Sequence, residues 1–170
     1  TQSMDVAIEN ALDRFSRIDV LINNAVYQDR EVNAMLLDLD DEALQRSLFG
    51  NVVAPFHLAK KVLPHMIAQG GGSIIHSASG FGVQGESTLT AYGSSKAALI
   101  HLNRMIATQY GKQNVRSNCM VIGFVLTPLA IESTPDVVKD ILLSHHLTPE
   151  LGAPDDIANL VAFLASDESK

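Results

Sequence analysis

The most chemically suggestive pattern in the chain is Tyr92 followed four residues later by Lys96. On a helix, this spacing places the two side chains on one face. A tyrosine is a poor base at neutral pH, but a neighbouring cation favours its phenolate form. It can then pass a proton to or from a carbonyl or alcohol oxygen, a role worth roughly 10²–10⁴-fold in rate. The same spacing also fits two side chains on a solvated helix face. The pair alone therefore does not distinguish a catalytic site from an exposed helix surface.

Ser79 stands thirteen residues before Tyr92, at the end of a short apolar run. Its hydroxyl could hydrogen-bond the same substrate oxygen and stabilise the charge that develops there. The alternative is a serine that ends a strand and bonds its own turn, and Ser77 would serve that second role as well.

Asn51 lies inside a long predicted helix, with Pro55 four residues further on. Because proline has no N–H, the carbonyl of Asn51 cannot make its normal helical hydrogen bond. That carbonyl then needs a water or a side chain as a partner. The residues alone leave two interpretations open: a kink that curves the helix over a sheet, or a water site that joins a proton path to Lys96.

Helical periodicity alternates along the chain with short, continuously apolar runs, which are typical of strands buried in a parallel sheet. Strands are predicted at Asp19–Ile22, Ser73–Ser79 and Val115–Ile122, and helices near the N-terminus, over Asp41–Gln69, over Ala91–Tyr110 and from Pro154 onward. This order predicts an α/β fold with right-handed crossovers, a doubly wound parallel sheet in one domain spanning residues 1–170. Ligands of such sheets bind at the carboxyl ends of the strands, where the unusual residues cluster.

The composition excludes several classes of protein. Of the 170 residues, 46 % are hydrophobic and 18 % charged, which fits a globular protein and not a disordered one. The formal net charge of −7 argues against a nucleic-acid groove or an anionic membrane surface. Neither a spanning helix nor a secretory signal is visible, and the single cysteine fits a reducing compartment, so a cytoplasmic location is expected. The six histidines match no metal-binding motif, and no metal site is expected.

The segment Gly80–Gly85 fits the pattern G-x-G-x-x-G and follows a predicted strand. However, no helix begins directly after it, and the stretch about 20 residues further on lacks the acidic partner of a dinucleotide fingerprint. We therefore interpret it as an active-site loop.

These motifs together resemble the short-chain dehydrogenase/reductase family, in particular its 3-oxoacyl reductase-like subgroup. Asn23-Asn24-Ala25-Val26 resembles the family's strand-end motif Asn-Asn-Ala-Gly, and Ile122–Thr127 resembles its Pro-Gly-x-x-x-Thr stretch. Ser79, Tyr92 and Lys96 match the family's catalytic trio, and Asn51 matches its fourth catalytic residue. Gly152–Ala158 and Phe163–Asp167 resemble the family's last helix. The match covers nearly the whole chain, in order and with the right spacings.

By this resemblance, Tyr92 is the acid/base, and Lys96 assists it while binding the nicotinamide ribose. Ser79 would orient the substrate carbonyl, and Asn51 would anchor a relay water. The implied activity is the interconversion of an alcohol and a carbonyl by hydride transfer, with a small molecule as substrate. A homodimer or homotetramer, paired through the two long helices, is also implied.

The implied cofactor is NAD or NADP. The residues implied to contact it are Asn23, Ala25, Tyr92, Lys96, Val125 and Thr127. Two residues depart from the family pattern, Val26 in place of glycine and Ile122 in place of proline, and both could alter cofactor affinity. The family's opening strand with its glycine-rich turn, and its closing strand, have no counterpart in this sequence, so a partial Rossmann-like domain is expected.

Two other functions remain open. A remnant without cofactor could act as an oligomerising scaffold. A relative that performs dehydration or epimerisation would also keep Tyr92 and Lys96.

Overall fold

A computed structural model describes residues 2–27 and 34–170. The helices are α1 (Gln2–Phe15), α2 (Asp41–Leu48), α3 (Ala54–Ala68), α4 (Thr90–Tyr110), α5 (Pro128–Ser133), α6 (Asp136–Ser144) and α7 (Pro154–Ala165). The strands are β1 (Val20–Asn23), β2 (Gly72–Ser79) and β3 (Val115–Ile122). A π-helical segment, Phe49–Val53, joins α2 to α3, and 3₁₀ turns cover Gly80–Gly82, Gly111–Gln113 and Asp167–Ser169.

The three strands form one sheet in the order β1-β2-β3. Strands β1 and β2 run parallel, and their register pairs Val20 with Ser73 and Asn23 with His76. Strand β2 is buried along almost its whole length, although Ser73, His76, Ser77 and Ser79 are polar. The predicted α/β class is confirmed, and β3 has the predicted bounds.

Helices α1, α3 and α4 pack together over the sheet and form the main apolar core. Its buried side chains include Ile8, Val62, Met66, Ile74 and Ile106. Removing such side chains from water is the main favourable term in folding, and it holds these helices against β2 and β3.

The segment from Asp41 to Ala68 is not the single α-helix that the sequence predicted. Asp40 caps its start, since the Asp40 carboxylate accepts hydrogen bonds from the backbone N–H groups of Glu42 and Ala43 at 3.1 and 3.2 Å. The helix then widens into the π segment that contains Asn51. Pro55, which cannot donate to an i−4 carbonyl, is the second residue after this segment, so the missing donor explains why the helix changes there.

Small residues bring α2 close to the beginning of α4. Ala43 and Ala91 are fully buried in one apolar cluster. Tyr27, Leu39 and Leu44 pack around them. The first turn of α4, which carries Tyr92, is therefore held by α2 as well as by the sheet.

The chain forms two compact units, one reaching to Val121 and a second over Ile122–Ser169. The second contains α5, α6, α7 and an isolated parallel bridge between Val125 and Gly152. Within the described residues, no helix is both long and apolar enough to cross a membrane.

Candidate active site

Tyr92 and Lys96 share one face of α4, and the ammonium nitrogen of Lys96 lies 5.5 Å from the centre of the Tyr92 ring. Lys96 is only 3 % exposed, and its Nζ donates a hydrogen bond to the backbone carbonyl of Ser77 at 2.7 Å. The alternative of a solvated helix face is therefore wrong for Lys96. The cationic side chain of Lys96 is buried in the protein next to the phenol ring of Tyr92.

Burial lowers the pKa of Lys96 below its usual value, since desolvation penalises the ammonium, and the nearby Cys119 acts in the opposite direction. Its hydrogen bond to Ser77 directs the ammonium towards the end of β2. An ammonium has three N–H donors, so this one bond leaves it able to bind further oxygen atoms.

Ser79 is the last residue of β2, is 7 % exposed and accepts a hydrogen bond from the backbone N–H of Phe81 at 3.3 Å. This is the turn-capping role that the sequence left open as an alternative. The role does not exclude the catalytic one, because a hydroxyl that accepts one bond still has its own hydrogen to donate. The turn that Ser79 caps also reaches the proposed acid/base, through an edge-on contact between the Phe81 and Tyr92 rings.

The Asn51 side chain is 1 % exposed and bonds three parts of the chain together. Its Oδ1 accepts from the backbone N–H of Tyr27 at 2.8 Å, while Nδ2 lies 3.1 Å from the Tyr27 carbonyl and 3.1 Å from Ser95 Oγ. A longer contact of 3.4 Å reaches Ser47 Oγ. Because both amide hydrogens have acceptors inside the protein, Asn51 would bind a relay water through an oxygen atom that accepts a hydrogen bond, either its backbone carbonyl or the second lone pair of Oδ1.

The two asparagines at the end of β1 hold this strand to β2. Asn23 is buried, and its Nδ2 lies 3.2 Å from Nδ1 of His76, its register partner on β2. Asn24 accepts a hydrogen bond from the Ser77 hydroxyl at 2.8 Å. Ala25, just beyond them, is exposed at the end of the strand.

Val125 and Thr127 belong to the second unit, Ile122–Ser169. Val125 forms the bridge to Gly152, and the Thr127 hydroxyl accepts from the backbone N–H of Ala130 at 3.1 Å, which caps α5. Thus Ser79, Tyr92, Lys96, Asn51 and Asn23 lie in one unit, while Val125 and Thr127 lie in the other.

The sequence reasoning missed Ser95, which connects two of the predicted residues. Its hydroxyl donates to the backbone carbonyl of Tyr92 at 2.7 Å and accepts from Asn51. A helix-interior serine one residue before the lysine was the available signal, but nothing in the spacing identifies Asn51 as its partner.

His76 was also missed. It is fully buried, and among the described side chains its Nε2 is the buried polar atom that has no hydrogen-bond partner. Burial lowers the pKa of His76 to about 4, with a smaller contribution from the charge of Lys96, so the imidazole is neutral at pH 7. A histidine in the middle of a predicted buried strand, directly after Ile74 and Ile75, was the available signal.

The chain was compared with known proteins. A family model described as enoyl-(acyl carrier protein) reductase matches residues 1–170. The chain is 41 % identical to a 7alpha-hydroxysteroid dehydrogenase of Bacteroides fragilis over 92 % of this chain and 60 % of that protein. It is 33 % identical to the 3-oxoacyl-[acyl-carrier-protein] reductase FabG of Thermotoga maritima, over 95 % of this chain and 64 % of that protein.

Solved structures agree with these relatives. The fold matches a 7 alpha-hydroxysteroid dehydrogenase complexed with NADH and 7-oxo glycochenodeoxycholic acid with a TM-score of 0.91 at 31 % identity, over 99 % of this chain and 64 % of that one. It matches an NAD⁺-bound xylitol dehydrogenase with a TM-score of 0.88 at 30 % identity, over 99 % of this chain and 70 % of that one. The chain spans about 60 % of the length of the curated relatives it matches. On these matches, the predicted resemblance is confirmed, and the chain belongs to the short-chain dehydrogenase/reductase family.

Proposed function

We propose that the protein is a cytoplasmic oxidoreductase that interconverts an alcohol and a carbonyl compound with NAD or NADP. The observation that carries this proposal is the buried ammonium of Lys96 lying 5.5 Å from the Tyr92 ring centre, on the same face of α4. Relatives named as dehydrogenases and reductases, and solved neighbours named with bound NADH or NAD⁺, support the reaction type.

Tyr92 is the proposed acid/base. In the oxidative direction its phenolate takes the proton of the substrate hydroxyl as the carbon–hydrogen bond breaks, and in the reductive direction the phenol returns a proton to the oxygen. A nicotinamide held through its ribose by Lys96 would supply or take up the hydride. Ser79 donates its hydroxyl hydrogen to the same substrate oxygen and fixes its position.

Lys96 stabilises the phenolate by its charge, in a buried place where the interaction is stronger than in water. Its single bond to the Ser77 carbonyl leaves N–H donors that fit the hydroxyls of a nicotinamide ribose. The backbone carbonyl of Asn51 is the proposed anchor of a water on the proton path. Asn23 supports this side of the site by holding β1 to β2, and Ala25, Val125 and Thr127 are the further residues proposed to contact the cofactor.

The proposal is tested by Tyr92→Phe, which removes the hydroxyl and keeps the ring. We expect turnover, followed by nicotinamide absorbance, to fall by roughly 10²–10⁴-fold, because the proton has no acceptor or donor. Cofactor binding and the fold should be retained. Tyr110→Phe, on the other end of the same helix, is the matched control and should behave as wild type. Full activity in Tyr92→Phe would exclude the proposed role.

A hydroxysteroid is the substrate class that we propose to test first. A 7alpha-hydroxysteroid dehydrogenase is 41 % identical to the chain, whereas the 3-oxoacyl reductase is 33 % identical. Steady-state kcat/KM values for 7α-hydroxy bile acids, a 3-oxoacyl thioester and a sugar alcohol would rank the candidates. A higher value for the thioester would favour the 3-oxoacyl reductase-like subgroup instead.

A homodimer or homotetramer is proposed to form through an apolar groove between α3 and α4. The groove is lined by Phe56, Leu63, Ile67, Leu102 and Met105, of which Phe56 and Met105 are about half exposed. Sedimentation velocity tests the oligomeric state directly.

The scaffold alternative predicts an oligomer with no turnover on any alcohol or carbonyl substrate, and a nicotinamide-linked rate in the wild type would exclude it. A reaction without net change in nicotinamide absorbance would favour dehydration or epimerisation.

A further inference from the structure

The glycine-containing turn after β2 is a motif to which the proposed chemistry gives no role. Gly80–Gly82 form a 3₁₀ turn directly after Ser79. The backbone carbonyl of Gly80 accepts hydrogen bonds from the N–H groups of Val83 and Gln84 at 2.9 and 3.0 Å. Together with the bond from Phe81 N–H to Ser79 Oγ, these contacts give the turn one defined conformation.

Two glycines let this turn lie directly on the backbone of α4. A Cβ atom on Gly82 would lie 2.7 Å from the carbonyl carbon of Lys96 and 2.8 Å from the backbone nitrogen of Ala97. A Cβ on Gly93 would lie 2.9 Å from the carbonyl oxygen of Phe81. Since neither position has room for a side chain, the distance between the turn and the helix is set by backbone contact.

This close approach places Phe81 against the proposed acid/base. The ring centres of Phe81 and Tyr92 are 6.5 Å apart and the ring planes meet at 73°. Such an edge-on arrangement is favoured by the aromatic quadrupoles and depends on orientation, unlike ordinary apolar contact. The same residue therefore donates its N–H to Ser79 and contacts the ring of Tyr92.

We propose that Phe81 is a positioning residue that holds the Tyr92 ring in the orientation required for proton transfer, in register with the Ser79 hydroxyl. The proposal rests on the function proposed above for Tyr92. On this proposal the turn affects kcat through Phe81, because a misoriented Tyr92 phenol reduces the fraction of bound substrate that can react.

The test compares Phe81→Leu with Phe81→Tyr in the native enzyme. Leucine keeps an apolar side chain but loses the edge-on pair, so we expect kcat to fall roughly 3- to 10-fold, the range of an aromatic pair, with KM nearly unchanged. Tyrosine keeps the ring and should restore most of kcat. Val6→Ala, at a residue 48 % exposed on α1, is the control and should leave both constants unchanged. An unchanged kcat in Phe81→Leu, or a rise in KM alone, would overturn the proposal and make Phe81 a wall of the substrate site.

A matched glycine pair tests the backbone contact. Gly82→Ala must displace the turn from α4, whereas a Cβ on Gly111, at the other end of α4, would meet no atom within 4 Å. We expect kcat to fall in Gly82→Ala and to stay near wild type in Gly111→Ala. Equal values in the two variants would contradict a turn held by close approach.

A readout without turnover separates this proposal from the function proposed for Tyr92. In protein with ¹³C-labelled tyrosine, Phe81→Leu should shift the Tyr92 ring resonances, since the ring current of Phe81 is lost, while Val6→Ala should not. Resonances that stay in place would overturn the positioning role whatever the activity. Activity retained in Tyr92→Phe together with shifted resonances would instead remove the proposed function and leave the contact intact.

Discussion

The two halves of α4 meet the rest of the protein in different ways. Near its start, Ser95 and Lys96 are buried and bound through hydrogen bonds, to Asn51 and to the carbonyl of Ser77. Further along, Leu102 and Ile106 pack into the apolar core without any polar partner. One helix thus carries a directional polar region at one end and a region of apolar packing at the other.

Strand β2 shows the same difference between apolar packing and polar contacts, at Ile74 and His76. Ile74 and His76 are one alternation apart and so point to the same face of the strand. Ile74 lies in the apolar core, while His76 contacts the Asn23 side chain. Hydrogen bonds require set distances and angles, whereas apolar burial is non-directional. We therefore expect substitutions in the polar region to change activity or its pH dependence, and those in the apolar region to change stability.

The largest expected effect is that of Lys96→Met, which keeps the stem and removes the charge. We expect activity to fall by roughly 10²-fold or more, because the phenolate of Tyr92 loses its cation. The free energy of unfolding at pH 7 should not fall, since a buried ammonium is costly to desolvate. Lys112→Met, at an exposed lysine, is the control for both measurements.

The pH dependence sharpens this test. Burial lowers the pKa of Lys96 in the folded protein, so between that pKa and the unfolded value the unfolded chain binds more protons. Wild-type stability therefore rises with pH across this range, and the stability advantage of Lys96→Met should shrink there. A variant that unfolds more easily than wild type at pH 7 would contradict the division between the two regions.

Ile74→Ala should have the opposite character. Ile74 is fully buried, and truncation leaves a cavity, so the free energy of unfolding should fall by about 2–5 kcal/mol in denaturant titrations. The kcat per folded molecule should remain near wild type. Leu37→Ala, at a leucine 97 % exposed, should change neither quantity. A large loss of kcat in folded Ile74→Ala would show that the apolar region also positions the site.

The sequence was sufficient for features that local rules determine. The strand predicted over Val115–Ile122 has the observed bounds of β3, and Pro55 predicted an interruption at Asn51, which the structure shows as a π segment. The Tyr92 and Lys96 spacing placed both side chains on one helix face because helical geometry requires it.

Features that depend on tertiary partners were not predictable in the same way. The bonds from Asn51 to Tyr27 and Ser95 join residues 24 and 44 positions apart, and no local pattern identifies such partners. The burial of Lys96 follows from the packing of α4 on β2, which periodicity does not encode. The polar region was thus predicted in its residue types, but its connections needed the fold.

His76→Gln is expected to have the smallest effect at neutral pH, and its effect appears only in acid. The folded pKa of His76 is about 4 against an ordinary value of 6.5, so between these values the unfolded chain binds more protons. Wild-type stability should therefore fall as the pH drops from 6.5 to 4, by about 3 kcal/mol in all from this group. His76→Gln should lack this part of the decline, and the exposed His65→Gln should keep it. Equal slopes of unfolding free energy against pH in the two variants would mean that the imidazole can take up a proton inside the fold, and the polar region would then be more accessible to water than its burial indicates.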